Sequence, residues 1–253
     1  YPNLMKFNSP ELQGKLNSEI TNLVVLNDVN STNTFIKSIQ SKRILDLVVA
    51  EKQSAGRGRR GNAWDSPEIG NIYMSLRFAV YDRIPALSLV TGLVVKKAIQ
   101  EVSKDINVLL KWPNDLILNQ RKAGGILVEI DQDNKIDNFI VGIGINIESD
   151  VANDSWIGLK EIDNEVDRNK IIIKIASAFE KIASGKEDFK DWQSEWEKHC
   201  VHMHKKITLN LNDSDKVEGI FEGINHKGEM LLSNENGILT FNSGECSVDY
   251  ASI

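Results

Sequence analysis

Two hydrophobic periods recur along the chain and predict its strands and helices. Apolar and polar residues alternate through 71–78, which predicts a half-buried strand, whereas apolar residues recur every three or four positions through 84–102, which predicts a helix. Short apolar runs predict further strands at 23–28, 47–49, 108–110, 116–118, 126–130 and 140–147. Helical spacing predicts further helices at 32–39, 170–182 and 189–199. Residues 1–21 are polar without a clear period, so we expect a loosely held lead-in.

The predicted strands lie close together in sequence with few helices between them, which favours a mixed, largely antiparallel sheet. After His199 the pattern changes to short strand-like runs with hairpin turns, at 206–211, 217–224, 229–232, 238–241 and 246–250. Five such strands in about fifty residues without a helix are typical of a small closed β-barrel. The predicted fold class is therefore α+β, with a larger domain at 1–202 and a β-barrel domain at 203–253.

Composition narrows the range of partners and compartments. The chain carries 30 Lys and Arg against 36 Asp and Glu, a net charge of −6, so we expect no nucleic-acid partner. Its longest apolar runs are far shorter than a membrane span, so we expect no membrane association. The two cysteines, Cys200 and Cys246, lack paired spacing, which favours a reducing, cytoplasmic setting over a disulfide scaffold.

A group of soft ligands, Cys200, His202 and His204, lies at the predicted domain boundary. Structural zinc sites need four ligands and usually wider spacing than this. We therefore interpret the group as part of a linker and not as a metal site.

Polar residues are concentrated in four places: an Arg-Gly segment at 53–64, and shorter clusters at 30–33, 111–125 and 142–146. The Arg-Gly segment cannot bury a core, since its arginines are permanently charged and its glycines have no side chain. It is suited to fold around an anion such as a carboxylate or phosphate. Taken singly, each cluster has another interpretation. The Arg-Gly segment fits a solvated turn or an RNA contact, 30–33 fits a helix cap, 111–125 fits a turn and 142–146 fits a glycine-containing strand. Neither a dinucleotide fingerprint nor a P-loop is present in the sequence.

Taken together, in this order and spacing, the clusters resemble the biotin protein ligases, of the monofunctional type without an N-terminal DNA-binding domain. The motifs that carry the resemblance are Ser31-Thr32-Asn33, Gln53-x-x-Gly-Arg-Gly-Arg-Arg-Gly-x-x-Trp64, Lys111-Trp-Pro-Asn-Asp115, Lys122-x-x-Gly125-Ile-Leu-Val-Glu129 and Gly142-x-Gly-x-Asn146. They cover nearly the whole chain. The resemblance implies the class II synthetase-like catalytic domain of biotin and lipoate ligases, followed by an SH3-like barrel.

The implied activity is an ATP-dependent ligation in two steps. Biotin and ATP form biotinyl-5′-AMP with Mg²⁺, and biotin then passes to a lysine of a biotin carboxyl carrier protein, such as that of acetyl-CoA carboxylase. A homodimer through the central sheet is a further expectation. Two rival interpretations are a lipoate ligase or transferase, which shares the catalytic fold, and a biotin-binding regulator without enzymatic activity.

The resemblance also implies roles for individual residues. The catalytic residues are Lys122, Arg57 and Asp115, and Asp115 is in addition the candidate metal ligand. The biotin-binding residues are Ser31, Thr32, Gln53, Gly56, Arg57, Lys122 and Gly125. The residues on the ATP side are Arg59, Arg60, Trp64, Asn114, Asn146 and Trp156.

Two expectations concern moving and distant parts of the site. The glycines of the Arg-Gly segment predict a lid that orders over the water-labile adenylate when ligand binds. Some members of the family bring an arginine of the last strand to the nucleotide, but residues 244–253 contain no Arg or Lys. A direct catalytic role for the barrel is therefore not expected.

Overall fold

A seven-stranded mixed sheet is the framework of the larger part of the chain. The computed structural model describes residues 6–67, 70–79, 86–133, 136–149, 154–187, 189–212 and 214–248. The strands of this sheet are β1 (Thr21–Val29), β2 (Leu45–Gln53), β3 (Ile72–Ala79), β4 (Leu109–Lys111), β5 (Asp115–Leu118), β6 (Arg121–Asp133) and β7 (Ile136–Ile145). Their order is β1-β2-β3-β7-β6-β5-β4, with β1 and β2 parallel and the other neighbouring pairs antiparallel. The predicted mixed, largely antiparallel sheet is confirmed.

Helices pack on this sheet and complete the hydrophobic core. They are α1 (Ser9–Lys15), α2 (Thr32–Phe35), α3 (Leu87–Val102), α4 (Arg168–Ala183) and α5 (Trp192–Lys198). Helices α3 and α4 pack against each other and against the sheet strands, which places the apolar face of each helix inside. The four predicted helices overlap α2 to α5, although residues 84 and 85 of the second lie outside the described residues. None of the helices that the structure describes is long and apolar enough to cross a bilayer.

The expectation of a loosely held lead-in is wrong for the described part of residues 1–21. Helix α1 packs on α4, and Phe7, Leu12 and Leu16 are buried. The backbone N–H of Phe7 donates to Oε1 of Glu51 at 2.5 Å, and the Phe7 ring lies 3.8 Å from the guanidinium of Arg168. Glu51 and Arg168 form a buried ion pair of 2.8 Å. Of the three buried apolar residues, only Leu12 and Leu16 lie at a helical spacing, and a single pair is too short a signal to predict this packing from the sequence.

A second sheet is formed by the last five strands. They are β8 (Lys206–Asn210), β9 (Lys216–Ile224), β10 (Met230–Asn234), β11 (Gly237–Phe241) and β12 (Glu245–Val248). The order is β11-β10-β9-β8-β12, and each neighbouring pair is antiparallel. This arrangement agrees with the predicted small barrel; residues 249 and 250 of its last predicted strand lie outside the described residues. The domain boundary near residue 202 stays a prediction.

The two sheets are joined by buried aromatic contacts. The ring of His202 packs edge-on against Phe221 of β9, with 4.6 Å between centroids, and Trp196 of α5 lies 6.4 Å from the same ring. Trp112, which follows β4, donates through Nε1 to the carbonyl of Gly228 in a barrel turn at 3.0 Å. These contacts pack the barrel against the larger part of the chain.

Candidate active site

A cavity of about 430 Å³ lies between the larger sheet, the Arg-Gly segment and the last barrel strand. Its volume is typical of a small-molecule site. The structure brings most of the predicted site residues to its walls: Ser31, Thr32, Gln53, Arg57, Arg59, Trp64, Asn114, Asp115, Lys122, Gly125 and Trp156. Within the described part of the chain, the predicted residues Gly56, Arg60 and Asn146 are not in the lining.

Part of the cavity wall, at the junction of β1 and α2, is a fixed set of polar groups. The backbone N–H of Thr32 donates to Oε1 of Gln53 at 2.8 Å, and the Thr32 hydroxyl donates to the same oxygen at 3.1 Å. Nε2 of Gln53 donates to Oγ of Ser66 at 2.9 Å. Ser31 occupies the N-cap position of α2, but its side chain makes no capping hydrogen bond. The Gln53 amide is held at both ends, so this wall presents donors and acceptors in a fixed orientation.

Lys122 and Asp115, which both line the cavity, form an ion pair. Nζ of Lys122 lies 2.6 Å from Oδ1 of Asp115, and both side chains are partly buried. Because the side chains of a regular strand alternate, Lys122 and Gly125 should face opposite sides of the sheet. A β-bulge corrects this: Leu116 pairs with Gly124 but Ile117 pairs with Lys122, which leaves Ala123 unpaired. The bulge therefore places the ammonium on the same face as Asp115.

Trp64 forms an indole wall over two glycines of the sheet. Its ring stacks on Trp156 with 5.5 Å between centroids and 17° between planes, and Nζ of Lys122 lies 5.3 Å from its centroid. A Cβ on Gly144 would lie 2.6 Å from the Trp64 ring, and one on Gly125 would lie 3.0 Å from it. The indole can lie this close to the strands only because both positions lack a side chain. These contacts give Trp64 a packing role in the cavity wall.

The Arg-Gly segment is a closed loop whose arginines point in different directions. The N–H of Trp64 donates to the carbonyl of Gly56 at 2.9 Å, which closes the base of the loop. Nη2 of Arg57 donates to Oε2 of Glu129 at 2.8 Å. A Cβ on Gly56 would lie 2.3 Å from the carbonyl oxygen of Trp64, so this glycine is needed for the tight base. Gly56 therefore allows the tight base of the loop, and it does not itself line the cavity.

Arg59 and Arg60 differ although they are neighbours. Nη1 of Arg59 donates to the carbonyl of Gly244 at 3.4 Å, and burial, followed by the charge of Arg60, lowers the pKa of Arg59 while Glu245 opposes the shift. Arg60 has a φ of 54°, in the left-handed region, and is exposed. The turn at Arg60 directs its side chain away from the lining.

The barrel contributes directly to the cavity. Glu245, Cys246 and Ser247 of β12 line it, and Nδ2 of Asn62 in the Arg-Gly segment lies 3.4 Å from Oε1 of Glu245. The expectation that the barrel has no direct catalytic role stays a prediction, although three residues of β12 form part of the cavity wall.

Two predicted asparagines hold backbone in place. Nδ2 of Asn146 donates to the carbonyl of Lys122 at 3.2 Å, and its backbone N–H donates to the carbonyl of Ala123 at 2.8 Å. Nδ2 of Asn114 donates to the carbonyl of Ile126 at 2.9 Å, while Asn114 also lines the cavity. Asn146 thus supports the strand that carries Lys122 from behind the cavity.

His202 lies under the Lys111–Asp115 turn. Its Nε2 accepts a hydrogen bond from the backbone N–H of Trp112 at 3.3 Å. Burial, followed by the charges of Lys111 and Lys205, lowers the pKa of His202 to about 3, so the ring is neutral. Burial also raises the pKa of Cys200 to about 12. Among the described residues, no group of three or more His, Cys, Asp or Glu side chains could hold a metal ion.

Several site residues were not assigned a role from the sequence. Asn33 and Gly142 line the cavity, as do Lys111, Trp112 and the β12 residues. A signal for Gly142 was present, because Gly142-x-Gly144 repeats at the strand period and so leaves one face of β7 bare. No local signal identifies Glu245 or its neighbours, since their approach depends on the packing of the barrel.

Comparison with known proteins gives matches to both parts of the chain. The family model described as "Biotin/lipoate A/B protein ligase family" matches residues 25–146, and the model described as "Biotin protein ligase C terminal domain" matches residues 204–249. The bifunctional ligase/repressor BirA of Salmonella typhimurium is 36% identical over 242 residues, which cover 90% of this chain and 74% of the relative. The protein of the same name from Escherichia coli is 34% identical, covering 95% of this chain and 78% of the relative.

A solved structure is similar over nearly its whole length. The biotin protein ligase from Aquifex aeolicus in complex with biotin and ATP superposes with a TM-score of 0.75 at 30% identity, covering 90% of this chain and 98% of that one. The similarity therefore includes the larger sheet and the barrel, the two parts between which the cavity lies.

Proposed function

Because this chain belongs to the biotin protein ligase family, we propose that its cavity is the site where biotin is activated by ATP and passed to a carrier protein. The enzyme forms biotinyl-5′-AMP and transfers the biotinyl group to a lysine of a biotin carboxyl carrier protein. Biotin and ATP are its substrates. Different residues of the cavity serve the binding, activation and transfer steps.

The observation that carries the assignment is that one cavity is lined both by an oriented polar wall and by fixed positive charge. The Gln53 wall presents oriented donors and acceptors, which the ureido ring of biotin requires. Lys122 presents positive charge elsewhere in the lining of the same cavity. Biotin bound between them has its ring at the Gln53 wall and its carboxylate at Lys122, with the indole of Trp64 beside its apolar chain.

Activation brings a carboxylate against a phosphate, so positive charge has to be held in place beforehand. A carboxylate oxygen attacks the α-phosphorus, and the bond from that phosphorus to the pyrophosphate oxygen breaks. Lys122 and Arg59 supply fixed charge where the two anions meet, whereas Arg57 is held at Glu129, and such preorganised charge is usually the largest catalytic contribution. Arg60 lies outside the lining and has no direct role in this step.

The nucleotide lies on the side of the cavity formed by Arg59, Asn114 and Trp156. Trp156 offers an aromatic face for the adenine. The carboxylates of Asp115 and Glu245 border the same space, and Mg²⁺ commonly binds through one or two carboxylates together with phosphate oxygens. These residues therefore fit the ion, which when bound neutralises phosphate charge.

Transfer to the carrier uses the same ion pair. The lysine amine of the carrier attacks the acyl carbon, the new amide bond forms, and the bond between that carbon and the AMP oxygen breaks. Asp115, which lies 2.6 Å from Lys122, is the group placed to take the proton that the amine loses. Arg57 covers the adenylate until the carrier arrives, as a residue of the lid.

Further properties of the protein belong to the same proposal. We propose a homodimer through the central sheet, supported by the edges of β1 and β4, which end the described sheet. We propose a cytoplasmic protein without a nucleic-acid partner, supported by two free thiols and the net charge of −6. Sedimentation at several protein concentrations tests the dimer.

Biotin-dependent exchange of pyrophosphate into ATP tests the assignment of the activity. The expected result is exchange with biotin and none with lipoate, followed by biotinylation of a carrier domain. Exchange with lipoate alone would show a lipoate ligase, and tight biotin binding without exchange would show a regulator. Either result would overturn the proposal.

A further inference from the structure

The carboxylate of Glu129, on β6, has three polar partners, two of which line the cavity. Its Oε2 accepts from Nη2 of Arg57 and from Nδ2 of Asn33, each at 2.8 Å. Its Oε1 lies 3.9 Å from Nζ of Lys37. Glu129 is only 22% exposed, and within the described residues it is not in the cavity lining. It can therefore act on the reaction only through residues that do reach the cavity.

Asn33 continues the contacts of Glu129 into the polar wall. Oδ1 of Asn33 lies 2.5 Å from Oγ of Ser75, and that hydroxyl lies 2.7 Å from Oγ1 of Thr32. Thr32 in turn donates to Gln53. Asn33, Ser75 and Thr32 are all buried, so water competes little for these bonds.

The strand below Asn33 is shaped to admit this network. A Cβ on Gly142 would lie 2.3 Å from Oδ1 of Asn33 and 2.9 Å from its Cγ. The side chain of Asn33 therefore occupies the place where Gly142 has no side chain. Oε2 of Glu129 thus connects Arg57, in the Arg-Gly segment, to the polar wall that Thr32 and Gln53 form.

We propose that Glu129 is a positioning residue that holds Arg57 over the acyl-adenylate and couples it to the polar wall of Thr32 and Gln53. The proposal rests on the function proposed above. Arg57 follows Gly56 and precedes Gly58, so its segment loses much conformational freedom when it orders. A charge-assisted bond to a carboxylate anchored on a strand orders the guanidinium before ligand binds. The same carboxylate orients Asn33, so binding at the wall and retention by Arg57 depend on one group.

The test is a double-mutant cycle between Glu129→Gln and Arg57→Ala, read as the rate at which biotinyl-5′-AMP leaves the enzyme. Gln keeps the shape of the side chain but removes the charge that both donors share. We expect Glu129→Gln to raise the release rate about tenfold in the wild-type background, because charge-assisted bonds are roughly twice as strong as neutral ones. In the Arg57→Ala background we expect less than a twofold effect. Biotinylation of bystander lysines should follow the release rate.

A matched control is Glu101→Gln, which removes an exposed ion pair to Lys174 of 2.9 Å on the far helices. This variant should release the adenylate at the wild-type rate. Equal effects of Glu129→Gln in both Arg57 backgrounds would overturn the proposal, because a purely structural role does not require Arg57. A Glu129→Gln enzyme that retains the adenylate like wild type would also overturn it, and one that retains it longer would show that Glu129 restrains Arg57 instead.

Two arms keep the outcome interpretable. Melting temperatures show whether a variant fails to fold. If Glu129→Gln fails to fold, Arg57→Lys in an otherwise wild-type enzyme takes its place. A lysine keeps the charge but loses the forked donor, so release faster than wild type is expected and unchanged release would refute the proposal. Wild-type enzyme that forms no adenylate from biotin would refute the proposed function, whereas normal wild-type activity with unchanged variants refutes only the role of Glu129.

Discussion

Replacement of Gly144 by alanine should damage the indole wall while the fold survives. The added Cβ would lie 2.6 Å from Cε2 and Nε1 of Trp64 and 2.7 Å from Cζ2. Unstrained contacts between carbon atoms lie at about 3.5–4.0 Å, so the ring has to retreat by about 1 Å. The strand lies below the ring and Trp156 stacks on it, so we expect the ring to move toward the cavity that it lines.

The magnitude follows from the contacts that the indole loses. Aromatic stacking contributes about 0.5–1.5 kcal/mol beyond burial, and the cation–π contact with Lys122 contributes about 0.5–1 kcal/mol. Loss of both should lower the free energy of unfolding by about 1–2.5 kcal/mol, because both contacts are made within the free enzyme. The displaced ring also enters the space where biotin lies, so the KM for biotin in pyrophosphate exchange should rise roughly tenfold, which corresponds to about 1.4 kcal/mol of binding free energy.

Two comparisons make this prediction decisive. Gly14→Ala adds the same methyl group in α1, where nothing lies within 4 Å, and should leave the KM unchanged. In a Trp64→Leu background the effect of Gly144→Ala should shrink, because the ring that it displaces is gone. A Gly144→Ala enzyme with a KM within twofold of wild type, or an effect of equal size in both backgrounds, would refute the reasoning.

Three further predictions concern stability and chemistry. The pKa of His202 in the folded chain is about 3, below its ordinary value of 6.5, so the unfolded chain takes up the proton first. The free energy of unfolding should therefore fall by roughly 1 kcal/mol per pH unit as the pH is lowered from 6.5 toward 3. Urea titrations at several pH values should show a smaller slope for His202→Gln, and equal slopes for the variant and the wild type would contradict the prediction. Glu51→Gln removes the carboxylate charge that faces the buried guanidinium of Arg168 and should cost about 3–5 kcal/mol in the same titrations, whereas the exposed Glu101→Gln should cost at most about 1 kcal/mol. Lys122→Ala should lower the rate of adenylate formation about 10²- to 10³-fold at an unchanged melting temperature, and a variant with a tenth of wild-type exchange would argue against its catalytic role.

Most of the secondary structure could be predicted because its signals are local. The alternation through 71–78 and the helical spacing through 84–102 each depend on the residues of one element, and both elements form where predicted and described. The expectation that the strand is half-buried is wrong, because β3 lies inside the sheet and is buried on both faces. The lead-in was misjudged because its anchor is a distant ion pair. Glu51 and Arg168 lie far apart in sequence, and no local pattern shows that Phe7 packs against them.

The order and spacing of polar residues along the chain already determined the family, and eleven of the fourteen site residues that they predicted line the cavity. The motifs from Ser31 to Gly125 hold the required donors and charges, and their identity alone predicts anion chemistry. Sequence also determined that β7 has one bare face, since two glycines recur at the strand period.

Which way those side chains point was decided by the tertiary structure. Lys122 reaches Asp115 only because a bulge at Ala123 reverses the alternation of β6, and a bulge is a property of the pairing between two strands. Glu245 reaches the cavity because the barrel packs on the larger sheet through contacts between residues distant in sequence. Local patterns specify periods and residue types, whereas register and the approach of one sheet to another depend on long-range packing. For that reason the chemistry could be predicted from the sequence, but the partners of its charged groups could not.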